Sequence, residues 1–314
     1  MPFLQGFRKP QALRRGDPVV AVAPSSPFER ESFEASLAIL GKRYEVRYDE
    51  GIFARERYLA GADSRRLQEL LAALTDQHTR AIFCARGGYG VTRLLAGLAA
   101  QLPLVHQPAH TAAKPLIGFS DLTALHGFLQ SRQQVSIHGP VLTQLTRLPD
   151  ATSERLFELL ESAAAPATLT ATATYCAGAA EGVLVGGNLS VLTRLLGTPF
   201  MPPLRGAILL LEDTGERPYR LDRMWTHLAL AGVFRHIRGI ALGEFFKCEE
   251  PQASYTSADV LASLAAETGL PCAAGFPIGH GALNEAVPLG VRVRLDADAR
   301  TLSFLEGAVT PAAD

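Results

Sequence analysis

The serine of "GFSD", Ser120, lies between the apolar run at 116–118 and a stretch of helical period over 122–130. In an open α/β sheet, catalytic groups gather at the carboxyl ends of strands, where helix N-termini also turn free N–H groups outward. Gly118 permits a backbone conformation or close approach that a side chain would block, and the N–H of Asp121 can face an oxyanion beside Ser120. The mechanics are those of a strained nucleophile elbow, although the motif is not GxSxG. Ser120 or Asp121 fits equally well as the N-cap of the following helix, so the motif alone leaves nucleophile and cap open. A second loop, "CARGGYG" at 84–90, also follows an apolar run and precedes a helical pattern. Its amides suit an oxyanion hole. A phosphate site fits less well, because GxGxxG and the P-loop pattern are absent and no acidic residue stands where a ribose would need one.

A nucleophilic serine needs a base within hydrogen-bond reach, and the base needs an orienting acceptor. Of the eight histidines, His280 in "FPIGHGALN" is best placed, since Gly279 and Gly281 leave its imidazole room to project toward another domain. His126, inside the helical pattern, and His138, in "SIHGP" at a strand end, read as core or loop-fixing residues. For the acceptor, "AILLLEDTGERPYRLDRM" offers Glu212, Asp213 and Glu216 after a strongly apolar run. Strand ends commonly supply such groups.

The elements that must hold these residues follow from periodicity. Short β-rich runs at 18–23, 44–48, 81–84 and 116–118 alternate with helical patterns at 30–40, 64–74 and 91–100. That alternation predicts a doubly wound parallel sheet. At 162–178 the sequence becomes "SAAAPATLTATATYCAG", poor in charge, with Pro166 stopping a helix over 153–161. Beyond it come strands at 182–185, 207–211, 239–242 and 291–295 and helices at 221–230 and 257–267, a mixed α+β pattern. The expected organisation is a Rossmann-like domain over 1–165 carrying the nucleophile, a linker over 166–178, and a β-rich domain over 179–314 carrying the acid and the base.

Composition narrows the function. With 314 residues, 47% of them hydrophobic, the chain is long enough for two packed cores. Thirty basic residues against 31 acidic ones give a net charge of −1, so no overall field draws in nucleic acid or an anionic membrane. Cys84, Cys176, Cys248 and Cys272 show no CxxC spacing, which suggests reduced thiols in the cytoplasm and neither a zinc site nor a disulfide framework. The opening "MPFLQGFRKPQALRRGD" has no signal-like apolar core, and no run of about 18 apolar residues occurs, so no membrane anchor is expected.

In order along the chain, "GDPVVAVAPSSP", "CARGGYG", "IGFSDLTALHGFL", "IHGP", "GGNLSVLTRLLGTP", "LLLEDTGERPYRLDRM" and "PIGHG" resemble the serine LD-carboxypeptidases, over about residues 16–290. The resemblance implies a nucleophile at Ser120, an acid at Glu212, a base at His280, and an oxyanion hole from the amides of Gly88 and Asp121. It implies cleavage of terminal D-alanine from cytosolic murein tetrapeptide in peptidoglycan recycling, with no metal or other cofactor, by a homodimer. A sister branch that cleaves microcin-type peptidyl or aminoacyl nucleotides shares the triad, and a non-catalytic α/β protein binding a small ligand remains the alternative outside hydrolysis. Strand alternation supports Glu212 as the acid, since Asp213 then faces the other way, while Glu216 lies beyond, near Arg217 and Arg220. A carboxypeptidase must also read a free carboxylate, for which Arg86 is a candidate, with loop bracing as its other role.

Overall fold

The structure, a computed structural model, describes residues 6–102 and 113–312. Its first half runs β1 (Pro18–Val22), α1 (Arg30–Leu40), β2 (Glu45–Arg47), α2 (Asp63–Thr75), β3 (Ala81–Cys84), α3 (Leu95–Gln101), β4 (Leu116–Gly118), α4 (Thr123–Gln130), β5 (Ser136–His138) and α5 (Asp150–Glu161). The second half runs β6 (Leu169–Thr170), β7 (Ala173–Cys176), β8 (Ala179–Asn188), α6 (Leu189–Thr193), β9 (Ala207–Thr214), α7 (Pro218–Leu230), β10 (Gly239–Phe246), α8 (Ser257–Thr268), β11 (Cys272–Ala274), β12 (Val287–Leu289), β13 (Arg292–Asp296) and β14 (Thr301–Phe304).

The α/β class and the parallel N-terminal sheet expected from the sequence are present. The first sheet has the order β12-β5-β4-β3-β1-β2, parallel except for β12. Its inner strands are apolar without alternation because both faces are covered. Phe83 and Ile117 point into one core with Phe33 and Leu40 of α1, while Ile82 and Leu116 point into the other with Leu70 of α2 and Leu125 of α4.

The second sheet has the order β6-β14-β13-β8-β9-β10-β11-β7, with β8 to β11 parallel and the outer strands antiparallel. Leu221 and Trp225 of α7 and Leu261 of α8 pack on Leu209, Leu211 and Leu242 of one face. Ile208 and Leu210 of the other face meet Val287 and Leu289 of β12, so that core lies between the two sheets.

Several boundaries differ from the sequence reading. Residues 166–178, read as a linker, carry β6 and β7, the two outermost strands of the second sheet. Alternating threonines with small neighbours suit a half-exposed edge as well as they suit a loop. The segment 179–314 is not confined to the second sheet, because β12 extends the first by pairing with β5. The helix expected over 91–100 begins as a 3-10 turn at Val91–Arg93 before α3. Strand β9 continues past its apolar run, since Asp213 and Thr214 pair with Phe245 and Phe246 beyond a bulge in β10. Glu212 therefore lies within a strand.

Candidate active site

In the first sheet β1 has β2 on one side and β3 on the other, and the loops after β1, β3 and β4 open at their carboxyl ends. Such a switch in strand order leaves a crevice. After β4 the backbone is extended at Phe119 and then enters the left-handed region at Ser120, with φ of 64°. For a residue with a Cβ this costs on the order of 1–3 kcal/mol, so the surroundings must hold it. They do so through Asp121, whose buried carboxylate accepts hydrogen bonds from the Ser25 hydroxyl at 2.7 Å and the Val91 N–H at 3.0 Å. Burial raises the Asp121 pKa, and these two hydrogen bonds oppose the rise. Asp121 thereby fastens the three loops together.

The helix-cap reading of Ser120 and Asp121 finds no support: Phe119 precedes the 3-10 turn and Leu122 precedes α4, neither with a side-chain capping bond. The glycine loop lies directly against the serine. A Cβ on Gly87 would stand 3.0 Å from Cβ and 3.2 Å from Oγ of Ser120, so a side chain there would force the loop or the serine to shift by a few tenths of an ångström. Gly88 rests on Ser26, whose hydroxyl accepts the Tyr89 N–H at 3.1 Å. Arg86 donates to the Pro27 carbonyl at 2.6 Å, a contact that braces the glycine loop against the segment after β1.

On β9 the carboxylates of Glu212 and Asp213 separate as alternation requires, and Glu216 lies beyond the strand. Asp213 turns to α6 and accepts from Asn188 Nδ2 at 3.0 Å and the Ser190 N–H at 2.8 Å. Glu216 accepts from Arg220 at 3.3 Å near the start of α7. Glu212 is fully buried and meets His280, Oε2 to Nδ1, at 2.7 Å. The histidine loop reaches it because Gly279 adopts φ of 124°, and a Cβ there would stand 2.7 Å from Glu212 Oε2. Asn284 fixes the same loop by accepting the Gly279 N–H at 3.1 Å. The His280 ring packs on Phe119, the residue before Ser120, with centroids 4.6 Å apart. His280, Glu212 and the loop bearing Ser120 are thus contiguous.

Burial alone would push the Glu212 pKa up, but the imidazoles of His138 and His280 outweigh it and hold the carboxyl at about 2. Glu212 is therefore an ionised acceptor that fixes the proton of His280 on Nδ1 and leaves Nε2 as the basic nitrogen. Burial, followed by the charge of Glu212, raises Asp213 to about 7. His126 bridges the Gly118 carbonyl and the Ser136 hydroxyl at 2.8 and 2.9 Å, and burial lowers its pKa to about 3, as befits a core histidine. Sequence reasoning passed over Ser25, Ser26, Asn188 and Asn284. The serine pair directly after β1, at the same sheet edge as Ser120, was the one available signal.

Residues 19–139 match the model of the LD-carboxypeptidase N-terminal domain, and residues 181–295 match that of the LD-carboxypeptidase C-terminal domain. A putative carboxypeptidase from Synechocystis sp. is 40% identical over 96% of this chain and 98% of its own. The murein tetrapeptide carboxypeptidase of Pseudomonas aeruginosa is 34% identical over 89% of this chain and 93% of its own. Among solved structures, the muramoyltetrapeptide carboxypeptidase from Oxalobacter formigenes superposes with a TM-score of 0.81 at 26% identity, covering 94% of this chain and all of that one. The microcin immunity protein MccF superposes with a TM-score of 0.82 over 96% of this chain and 99% of its own, at 22% identity, which speaks for the fold alone. With both domain models matched in order and relatives aligned over nearly their whole length, this chain belongs to the LD-carboxypeptidase family.

Proposed function

We propose that this protein is a serine peptidase that hydrolyses the bond between an L-configured centre and a C-terminal D-alanine, with murein tetrapeptide as substrate. The observation that carries the reading is the 2.7 Å bond from His280 Nδ1 to a fully buried Glu212, beside the loop of a serine in the left-handed backbone region. Nε2 of His280 takes the proton of Ser120 as Oγ attacks the scissile carbonyl, and the N–H groups of Gly88 and Asp121 receive the oxyanion. The imidazolium, balanced by Glu212, then gives its proton to the departing amine of D-alanine. A water molecule, deprotonated by His280, releases the acyl group and restores Ser120. Arg86 is assigned the substrate carboxylate, at the expense of its bond to Pro27. A cytoplasmic homodimer acting in peptidoglycan recycling completes the proposal. Among the described residues no helix is long and apolar enough to cross a membrane.

The test is incubation with tetrapeptides ending in D-Ala or in L-Ala and with an aminoacyl sulfamoyl nucleoside, with mass detection of products from wild type and Ser120→Ala. Tripeptide released from the D-Ala substrate alone, and lost by on the order of 10⁴-fold in Ser120→Ala, is expected. Cleavage of the nucleoside compound instead favours the microcin-type reading, and no turnover of any substrate favours a ligand-binding protein.

A further inference from the structure

The bond to His280 uses one oxygen of Glu212, and the other, Oε1, has no hydrogen-bond partner among the described residues. Neither ring nitrogen of His138 has one. Both side chains are fully buried, and Nε2 of His138 faces Oε1 at 3.9 Å, within reach of an ion pair and about 1 Å beyond a hydrogen bond. Away from solvent, an acceptor and a donor that each lack a partner gain most by pairing with each other.

The position of His138 adds a second argument. Strand β5 pairs with β4 so that His138 stands opposite Gly118, two residues before Ser120. Glu212 belongs to the other sheet, opposite Asn188 of β8. The His138 ring is confined by Phe119 at 5.9 Å and His126 at 6.2 Å between centroids, and by Gly187, where a Cβ would stand 3.4 Å from Cδ2. Its Nε2 edge looks across the sheet boundary at the acid, while His126 is committed to Gly118 and Ser136.

We propose that His138 is a positioning residue for the acid: with its proton on Nε2 it closes on Oε1 of Glu212, so that the carboxylate is held from both sides. A carboxylate fastened through one oxygen can swing about its terminal torsion, whereas one fastened through both keeps His280 aimed as the imidazolium forms. The inference rests on the Ser120–His280–Glu212 reading.

Steady-state hydrolysis of the D-Ala tetrapeptide by wild type, Ser120→Ala, His138→Gln, His138→Asn and His138→Leu tests it, with thermal midpoints and the low-field proton resonance of His280 Nδ1–H. Glutamine keeps an N–H near the Nε2 position, while asparagine offers one near Nδ1, on the wrong side. His138→Leu and His138→Asn are expected to lose roughly 10- to 100-fold in kcat with KM little changed, and His138→Gln to recover most of that loss. The low-field resonance should persist in His138→Gln and shift or broaden in His138→Asn. If His138→Leu does not fold, the contrast between Gln and Asn decides alone. Equal kcat in those two, with Ser120→Ala inactive, overturns the role of His138. Full activity in Ser120→Ala overturns the triad reading instead.

Discussion

Glu212 and Asp213 are sequence neighbours with opposite electrostatics, and both predict a pH response. The Glu212 carboxyl is lowered from 4.5 to about 2, so its contribution to stability is complete above about 4.5 and is lost as pH falls toward 2. Asp213 is raised from 3.8 to about 7, so the folded state keeps a proton that the unfolded chain releases. Its contribution is complete below about 3.8 and fades as pH rises through 7. Thermal midpoints of wild type and Asp213→Asn across pH 4–8 check this: the variant is expected to lose part of the decline toward neutral pH, and parallel curves refute the shift. In turnover the order reverses. Glu212→Gln should lose roughly 10²- to 10⁴-fold in kcat, as an orienting acid does in other triads, while Asp213→Asn and Glu216→Gln lose far less. A collapse in Glu216→Gln with normal Glu212→Gln would move the acid. The separation of these carboxylates was legible in the sequence because alternation along a strand is a local rule. The bracing by Asp121 was not, since its partner Ser25 lies 96 residues away and no local pattern couples them.

At the scale of elements, the glycine loop after β3 is shaped by its approach to Ser120. Gly87→Ala inserts a methyl 3.0 Å from the serine Cβ, so the loop or Ser120 must give way. At least about a tenfold loss in kcat is expected, with a thermal midpoint close to wild type, because the strain falls on a loop outside the cores. Unchanged kcat would mean that the loop yields without disturbing the site. The buried strands β1, β3 and β4 and the amphipathic helices α1 and α2 were readable because their patterns are long or continuously apolar. Strands β5, β6, β11 and β12 are no longer than β4, which spans three residues, but no α-helical pattern follows them directly as one follows β4, and only pairing with their neighbours defines them. The extension of β9 to Thr214 was hidden for the same reason: its partners, Phe245 and Phe246, follow a bulge that only pairing reveals.

For the whole molecule, the two sheets share an apolar core, and the chain ends are joined where Thr310 exchanges backbone hydrogen bonds with Pro10 and Ala12. Unfolding is therefore expected as one transition, despite a length that allows two independent domains. The single tryptophan, Trp225, reports on the second sheet through α7, and far-ultraviolet circular dichroism reports on both. Coincident denaturant midpoints by the two probes are the expected result, and separated midpoints would show domains that unfold independently. The placement of β12 has a further consequence, for inheritance. The loop bearing His280 leaves the second sheet at β11 and ends in the first at β12, so a recombination between two relatives near residue 178 transfers His280 together with an edge strand of the sheet that carries Ser120. The halves are not interchangeable parts: a hybrid is expected to keep the placement of His280 only when the incoming Val287–Leu289 strand fits the resident Ser136–His138 strand.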